Sequence, residues 1–198
     1  MSKNICVFCS SSDLTDTMYN TLAKNLAEII TKQKNNLIFG GANVGMMRVL
    51  AENTKQLKGK AIGVIPQRIA DKVSANPDID ELIITPDMYA RKAKMAELAD
   101  AFIAMPGGFG TLEELSEVIT HKQLGYHSKP IVIINHDGFY NSLLDFFETL
   151  YHKMFSKPVY RQLYQVVSSP QEAMSYINNY REPSFENKWF ITDKNQNQ

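Results

Sequence analysis

Short apolar segments alternate with amphipathic segments along most of the chain. The apolar segments are Ile5 to Cys9, Leu37 to Phe39, Ala61 to Ile65, Leu82 to Ile84, Ala101 to Met105, Ile131 to Ile134 and Gln165 to Val167. Each is nearly continuous, which is typical of parallel strands covered by helices on both faces. Between them, two apolar stripes recur at helical spacing and predict core-facing helices. The stripes are Tyr19, Leu22, Leu26, Ile29 and Ile30, and Leu143, Phe147, Leu150, Tyr151 and Met154.

This alternation predicts the fold class and the domain boundaries. We expect an α/β protein with a doubly wound parallel sheet of about seven strands, flanked by helices on both faces. Residues 1–181 are predicted to form this single nucleotide-binding domain, and the polar residues 182–198 a mobile C-terminal tail. The segment from Asp71 to Asp80, which contains Pro77, predicts a surface loop. Ligands of such sheets bind beyond the carboxyl ends of the strands, so the loops that follow strands carry the chemistry.

Composition and charge narrow the possible partners. The 198 residues include 21 basic and 21 acidic side chains, so the net charge is zero. A chain without an overall positive field has no electrostatic driver for nucleic-acid or membrane binding, and no apolar run reaches the roughly 18 residues of a membrane helix. We therefore expect neither partner. The short apolar segment at the N-terminus and the presence of only two cysteines favour a cytoplasmic location.

Cysteine and histidine spacing argues against a redox or metal site. Cys6 and Cys9 form a C-x-x-C pair, but residues three apart on a strand face opposite sides of the sheet, so we expect two core side chains. The four histidines show no H-E-x-x-H or paired-ligand spacing. We expect no metal and no cofactor.

Two glycine-rich turns follow predicted strands and open predicted helices. The first runs from Phe39 to Met46 and includes Gly41 and Asn43, and the second runs from Met105 to Glu114. Glycine lets a backbone approach a ligand closely, and the first N–H groups of a helix lack internal partners, so both turns can bind a phosphate. Neither matches the dinucleotide or P-loop fingerprint. The alternative for each turn is a tight structural connection.

Thr111 and Glu114 in the second turn have two interpretations. Thr-x-x-Glu is a capping box, in which both side chains only satisfy amides at the helix end. In the other interpretation, Thr111 holds a phosphate and Glu114 points into a cleft as a catalytic carboxylate. Arg91 and Lys92 are the candidate cations, because they lie in the first turns of a predicted helix, the end at which the helix dipole disfavours positive charge. Their placement indicates an anionic partner or, alternatively, a solvated basic face.

These residues together resemble a known family. Pro106 to Glu114 matches the P-G-G-x-G-T-x-x-E motif of the Lonely Guy (LOG) family, the cytokinin riboside 5′-monophosphate phosphoribohydrolases long labelled lysine decarboxylases. The resemblance runs from about residue 4 to residue 178. Its further segments are Val7 to Ser12, Gly40 to Met47, Met88 to Lys92 and Asn135 to Leu144.

The resemblance implies a fold, an activity and a set of site residues. It implies a Rossmann-like fold, a homodimer with active sites near the subunit interface, and hydrolysis of a nucleoside 5′-monophosphate to free base and ribose 5-phosphate. By motif, Arg91 and Glu114 match the catalytic pair. The residues predicted to bind substrate are Gly41, Asn43, Met88, Lys92, Gly107, Gly108, Gly110 and Thr111.

The sequence also departs from the family, and other functions compete with hydrolysis. Ser10 and Ala42 stand where the family commonly has glycine, and Tyr89 and Ala90 where it has histidine and an acid, which bears on base recognition. The main alternative is a non-catalytic nucleotide or molybdenum-cofactor carrier of the same fold. Lysine decarboxylation would need a lysine that holds pyridoxal phosphate, and the sequence singles out none.

Overall fold

The structure, a computed structural model, describes residues 2–73 and 79–183 of the chain. Within these residues seven parallel strands form one sheet in the order β4-β3-β2-β1-β5-β6-β7. The strands are β1 (Asn4–Phe8), β2 (Asn36–Phe39), β3 (Ala61–Pro66), β4 (Glu81–Thr85), β5 (Ala101–Ala104), β6 (Ile131–Ile134) and β7 (Gln165–Val167). This confirms the predicted parallel sheet and its seven apolar segments.

Helices cover both faces of the sheet, as predicted for a doubly wound fold. They are α1 (Thr17–Lys32), α2 (Gly45–Gln56), α3 (Gln67–Ala70), α4 (Met88–Leu98), α5 (Phe109–Gln123), α6 (Asn141–His152) and α7 (Pro170–Asn178). Helices α1, α2 and α7 share one buried cluster with the sheet, and α4, α5 and α6 share the other. The strand order reverses between β1 and β5, so their C-terminal loops diverge to opposite faces and leave a crevice.

Alternate side chains of the central strands pack into the two buried clusters on opposite faces of the sheet. On β1, Ile5 and Val7 pack with α1, whereas Cys6 and Phe8 pack with α4 and α5. Cys9, just past the strand, contacts the cluster on the α1 side and is only partly buried. Both thiols are free. The prediction of two core side chains is therefore confirmed for Cys6, whereas Cys9 packs on the other side of the sheet but is only partly buried.

Two details of the sequence prediction are wrong. The segment from Leu82 to Ile84 belongs to β4, which lies at the edge of the sheet, and Ile84 is 51% exposed rather than covered on both faces. Met154 is not part of the core stripe of α6, because that helix ends at His152 and Met154 follows in a left-handed conformation (φ 60°) with its side chain exposed. Position 154 would share the core face only if the helix continued.

Two predicted segments fall largely outside the described residues. Of the predicted loop from Asp71 to Asp80, only residues 71–73, 79 and 80 are described. The predicted tail, residues 182–198, lies outside the described residues except for its first two positions. The single domain and mobile tail stay predictions.

Backbone and side-chain hydrogen bonds fix the loops at the C-terminal edge of the sheet. The Met105 N–H donates to the Phe8 carbonyl at 2.9 Å, and the Met46 N–H donates to the Ser10 carbonyl at 3.1 Å. The buried Tyr140 hydroxyl donates to the Met105 carbonyl at 2.7 Å. These bonds hold the loops after β1, β2 and β5 in place relative to one another.

Candidate active site

A cleft of about 350 Å³ opens at the C-terminal edge of the sheet. Its walls are the loops after β1, β2 and β3 and the first turns of α4 and α5. This volume is within the range of pockets that hold small molecules. The residues predicted from sequence that line it are Met88, Arg91, Gly108, Gly110, Thr111 and Glu114.

The turn between β5 and α5 presents backbone to this cleft. Helix α5 begins at Phe109, with Gly108 as its N-cap, and the Leu112 N–H donates to the Gly108 carbonyl at 3.1 Å. The amides before Leu112 therefore have no partner inside the helix. A Cβ added to Gly108 or Gly110 would meet nothing within 4 Å, so both glycines face open space. The turn is thus an open, positively polarised helix end suited to an anion.

The capping-box interpretation of Thr111 and Glu114 is wrong. Thr111 is the third residue of α5 rather than its N-cap, and no side chain caps that end of the helix. A Cβ on Gly107 would lie 2.1 Å from the Thr111 Oγ1, so glycine at 107 is what lets the buried threonine close against the turn. Gly107 itself lines a neighbouring recess together with Ser10 rather than the cleft.

Arg91 and Glu114 form a buried ion pair on the cleft wall. Arg91 lies in the first turn of α4, which Asp87 caps by accepting from the Ala90 N–H at 2.8 Å. The Arg91 Nη1 donates to the Glu114 Oε1 at 2.7 Å, and its Nε donates to the Val64 carbonyl at 3.2 Å. The side chains are only 12% and 8% exposed. These two hydrogen bonds hold the guanidinium in place, with one of its N–H groups directed at one oxygen of the Glu114 carboxylate.

The pKa of Glu114 reflects opposing effects. Burial raises the pKa of this carboxyl above its ordinary value, while the adjacent guanidinium of Arg91 acts in the opposite direction. Burial is the larger effect, so the net shift is upward. A carboxylate held out of water beside a fixed cation is typical of functional sites.

The turn between β2 and α2 contributes differently from the prediction. Gly41 and Asn43, predicted to bind substrate, do not line the cleft, whereas Gly40 does. A Cβ on Gly40 would lie 2.5 Å from the Arg91 Nη2, and a Cβ on Gly41 would lie 3.2 Å from the Val64 amide nitrogen of β3. Gly40 therefore makes room for the arginine, and Gly41 for the neighbouring strand.

Lys92 lies on the far side of the ion pair. Its ammonium binds Glu113 and, at 2.8 Å, the Glu117 Oε2, and the side chain does not line the cleft. The structure thus partners Lys92 with two carboxylates of α5, and its predicted contact with substrate stays a prediction. Met88, by contrast, is 42% exposed at the cleft mouth.

Several residues that line the cleft were missed as site residues from sequence. Ser10, Ser11 and Ser12 follow β1, and the Ser10 Oγ accepts from the Ser12 N–H at 3.1 Å. Pro66 and Ile69 close the apolar end of the cleft. The serine run next to a strand end was the available signal. Nothing in the sequence marked Pro66 or Ile69, since they reach the cleft only through the direction that the chain takes after β3.

Within residues 2–73 and 79–183, no three His, Cys, Asp or Glu side chains lie together in a way that could hold a metal ion. In the same part of the chain, every helix is too short or too polar to cross a lipid bilayer.

The fold and the cleft define a Rossmann-like α/β protein with an open helix N-terminus beside a buried arginine–glutamate pair. The family model described as "Possible lysine decarboxylase" matches residues 47–177. Together with the relatives described next, which are named cytokinin riboside 5′-monophosphate phosphoribohydrolases, this match shows that the chain belongs to the LOG family.

Relatives in Arabidopsis thaliana cover most of the chain. The cytokinin riboside 5′-monophosphate phosphoribohydrolase LOG5 is 38% identical over 179 residues, which are 90% of this chain and 78% of the relative. LOG7, of the same name and organism, is 40% identical over 186 residues, which are 93% of this chain and 84% of the relative.

Solved structures show the same fold at lower identity. A molybdenum cofactor binding protein from Rippkaea orientalis superposes with a TM-score of 0.68 at 25% identity, covering 90% of this chain and 96% of that one. The molybdenum cofactor carrier protein of Chlamydomonas reinhardtii superposes with a TM-score of 0.70 at 21% identity, covering 90% and 97%. The second likeness is evidence for the fold alone.

The residues of the cleft do not fit the decarboxylase description of the family model. That chemistry needs a lysine amine to hold pyridoxal phosphate. None of the described residues that line the cleft is a lysine, and Lys92, which lies nearby, is bound by two carboxylates.

Proposed function

We propose that this protein is an N-glycosidase that hydrolyses AMP or a cytokinin riboside 5′-monophosphate to the free base and ribose 5-phosphate. The observation that carries the proposal is the 2.7 Å contact between Arg91 and Glu114 on the wall of a cleft that also contains the open end of α5. Identities of 36% to 41% to relatives named as phosphoribohydrolases support the same reaction.

The 5′-phosphate is assigned to the first turn of α5. Gly108 and Gly110 leave space for phosphate oxygens to approach the backbone, and the N–H groups there lack helical partners. Thr111 adds a hydroxyl close to the turn. Binding energy at this phosphate would position the sugar, several bonds away, for reaction.

Glu114 is the proposed catalytic carboxylate. Breaking an N-glycosidic bond builds positive charge on the ribose, and an anion beside the ring stabilises that transition state. Glu114 lies one helical turn beyond the phosphate site, so the two interactions can act on one small substrate. Its carboxylate either activates water or forms a transient glycosyl ester, and both routes fit this placement.

Arg91 orients the carboxylate and favours its charged form. Its guanidinium is anchored on Val64 and donates to one oxygen of Glu114. Burial raises the pKa of Glu114 and Arg91 counteracts that rise, so the reactive carboxylate is ionised above the raised pKa and protonated below it. Activity should therefore fall with decreasing pH through a pKa above the ordinary glutamate value.

The base is assigned to the apolar end of the cleft. Pro66, Ile69 and Met88 line that end, and Ile69 and Met88 are partly exposed there. A flat, largely apolar surface suits a purine ring. A panel of nucleoside monophosphates assayed for released ribose 5-phosphate would identify the accepted base.

Replacing Glu114 tests the proposal directly. The Glu114→Gln variant keeps a hydrogen-bond acceptor for Arg91 but removes the charge, so base release from AMP should fall by about 10³-fold. Its melting temperature should fall, because Arg91 loses its counter-charge, so circular dichroism must first show that the variant is folded at the assay temperature. Near-normal turnover by a folded Glu114→Gln protein would disprove the assignment.

A carrier function is the alternative, and the structural likeness to molybdenum cofactor proteins favours it. Their identity of 25% or less is below that of the phosphoribohydrolases, which makes this alternative weaker. A pterin bound to the purified protein, together with inertness toward every nucleoside monophosphate, would favour the carrier.

We also infer a homodimer with its active sites near the subunit interface. Phe109 is 90% exposed, Tyr89 81% and Met88 42%, and all three lie at the N-terminal turns of α4 and α5 beside the cleft. Exposed apolar groups clustered in this way are typical of interfaces. Light scattering should give twice the 22.4 kDa chain mass. The Phe109→Ser variant should shift the monomer–dimer equilibrium toward the monomer.

A cytoplasmic location completes the proposal. The two thiols, Cys6 and Cys9, are free, as is usual in a reducing compartment. Fluorescence of a tagged protein would show the compartment.

A further inference from the structure

Lys92 occupies an unusual place for a lysine. Its side chain is only 11% exposed, and its ammonium lies between α4 and α5 in contact with Glu113 and Glu117. The two carboxylates are 54% and 30% exposed, so the contact runs from a buried cation to the protein surface. A buried ammonium is tolerated only when it is paired.

Lys92 and the ion pair of the cleft are neighbours through a second, smaller recess. This recess of about 70 Å³ is mainly apolar, and both Lys92 and Glu114 border it, together with Glu117, Phe8 and Phe102. Charges separated by such apolar surroundings interact more strongly than charges in water. The positive charge of Lys92 therefore interacts electrostatically with the Glu114 carboxylate, although the two side chains are not hydrogen-bonded to each other.

The chain connects the two interactions tightly. Arg91 and Lys92 are consecutive in α4, and their partners Glu113, Glu114 and Glu117 lie within two turns of α5. A rotation or sliding of α4 against α5 would break both sets of contacts at once. We infer that Lys92 is a positioning residue, which clamps α4 to α5 so that Arg91 stays on Glu114 and which screens Glu114 from its two acidic neighbours.

The groups that face Glu114 come from three elements. From α4, the cations Arg91 and Lys92 lower the pKa of its carboxyl, and from α5 the charge of Glu113 raises it. Cys6 on β1 and Cys9 just past that strand carry uncharged thiols, because burial raises their pKa values far above neutral. Loss of the cation at position 92 would leave the acidic neighbours unopposed and move the pKa of Glu114 further upward.

The inference rests on the proposed function, since the orientation and charge of Glu114 affect activity only if Glu114 is the catalytic carboxylate. Its test compares Lys92→Met, Lys92→Arg and the triple variant Lys92→Met/Glu113→Gln/Glu117→Gln with wild type. Lys94→Met is the matched control, because Lys94 is a lysine of the same helix paired at 2.9 Å with Glu97, which is on that helix too.

Two readouts are needed, one with and one without turnover. The first is the dependence of kcat and KM for AMP on pH. The second is the titration midpoint of Glu114 in the resting protein, measured by NMR on carbon-13-labelled glutamate carboxyls and assigned with Glu114→Gln. The second readout works even if AMP is not a substrate.

The Lys92→Met variant should raise the Glu114 midpoint and move the acidic limb of the kcat profile to higher pH. KM for AMP should change less than twofold, since Lys92 does not line the cleft. Lys92→Arg should retain most of the wild-type behaviour, and the triple variant, in which no acidic neighbour remains unopposed, should return the midpoint toward wild type. Lys94→Met should match wild type.

Other results would overturn the inference. An unchanged midpoint and an unchanged kcat profile in folded Lys92→Met would show that the cation does not act on Glu114. A large rise in KM with unchanged kcat would mean that Lys92 binds substrate directly. If wild type releases no base from any nucleoside monophosphate, the proposed function fails, while the NMR midpoints still decide the electrostatic coupling. If Lys92→Met does not fold, the triple variant is compared with Glu113→Gln/Glu117→Gln, which differs from it only at position 92, and equal Glu114 midpoints in the two would overturn the inference.

Discussion

The two glycine-rich turns at the edge of the sheet look alike in sequence and differ in structure. In the turn after β2, added Cβ atoms would press on Arg91 at Gly40 and on β3 at Gly41. In the turn after β5, added Cβ atoms at Gly108 and Gly110 would meet nothing within 4 Å. Glycine thus allows close packing of the protein against itself in the first turn, whereas the glycines of the second turn face open space.

The largest effect is expected from removing the 5′-phosphate of the substrate, which tests the turn after β5, called the open turn below. If the amides of α5 hold the 5′-phosphate, adenosine, which lacks that group, should react at least about 10³-fold more slowly than AMP in kcat/KM, because the positioning energy is lost. Initial rates of adenine release measure the ratio. Equal rates for the two substrates would leave the open turn without a role in binding.

The second largest effect on kcat is expected from a methyl group added to the turn after β2. In Gly40→Ala the new Cβ would lie 2.5 Å from the Arg91 Nη2, the end of a flexible side chain, so the guanidinium shifts from Glu114 while the fold is kept. We expect kcat to fall by about 10 to 100-fold, the usual loss when a positioning contact moves by an ångström. Steady-state kinetics and circular dichroism check both parts, and an unchanged kcat would contradict this account of Gly40.

The next substitution should affect stability rather than chemistry. Gly41 has φ +75°, and its Cβ would lie 3.2 Å from the Val64 amide nitrogen. Gly41→Ala should therefore lower the free energy of unfolding by about 1 to 2 kcal/mol or more. Urea denaturation gives the value. A variant as stable as wild type would show that the turn relaxes without cost.

The smallest effect should come from the same change in the open turn. Gly110→Ala should leave stability unchanged or raise it by up to about 1 kcal/mol, since alanine favours the helix. The methyl group would crowd the phosphate, so KM for AMP should rise several-fold with little change in kcat. The pair Gly41→Ala and Gly110→Ala sharpens the contrast, because one should move only the unfolding curve and the other mainly KM.

Much of the fold follows from local patterns. The seven strands are short apolar runs between amphipathic segments, and each run falls on a strand of the structure. The sequence did not predict the exposure of Ile84, because the burial of a strand depends on which strands lie beside it in the sheet. The exposure of Met154 depends on where α6 ends, and the stripe alone does not mark that point.

The site was harder to predict from the sequence than the fold was. The contact between Arg91 and Glu114, 23 positions apart in the chain, became an expectation through the family motif and through the rule that loops after strands meet at one edge. The partners of Lys92 depend on the packing of α4 against α5, which spacing does not encode. The upward shift in the pKa of Glu114 comes from burial, which only the assembled fold determines.

One helix, α5, carries both the proposed anion site in its first turn and the carboxylate at position 114. An α-helix advances about 1.5 Å per residue, so the four steps from Gly110 to Glu114 set a span of roughly 6 Å along the axis. A substrate with one phosphate on its ribose matches a span of this order. Under the proposed assignments, di- and triphosphates bound by their terminal group would hold the sugar too far from the acid, so the helix pitch would favour monophosphates.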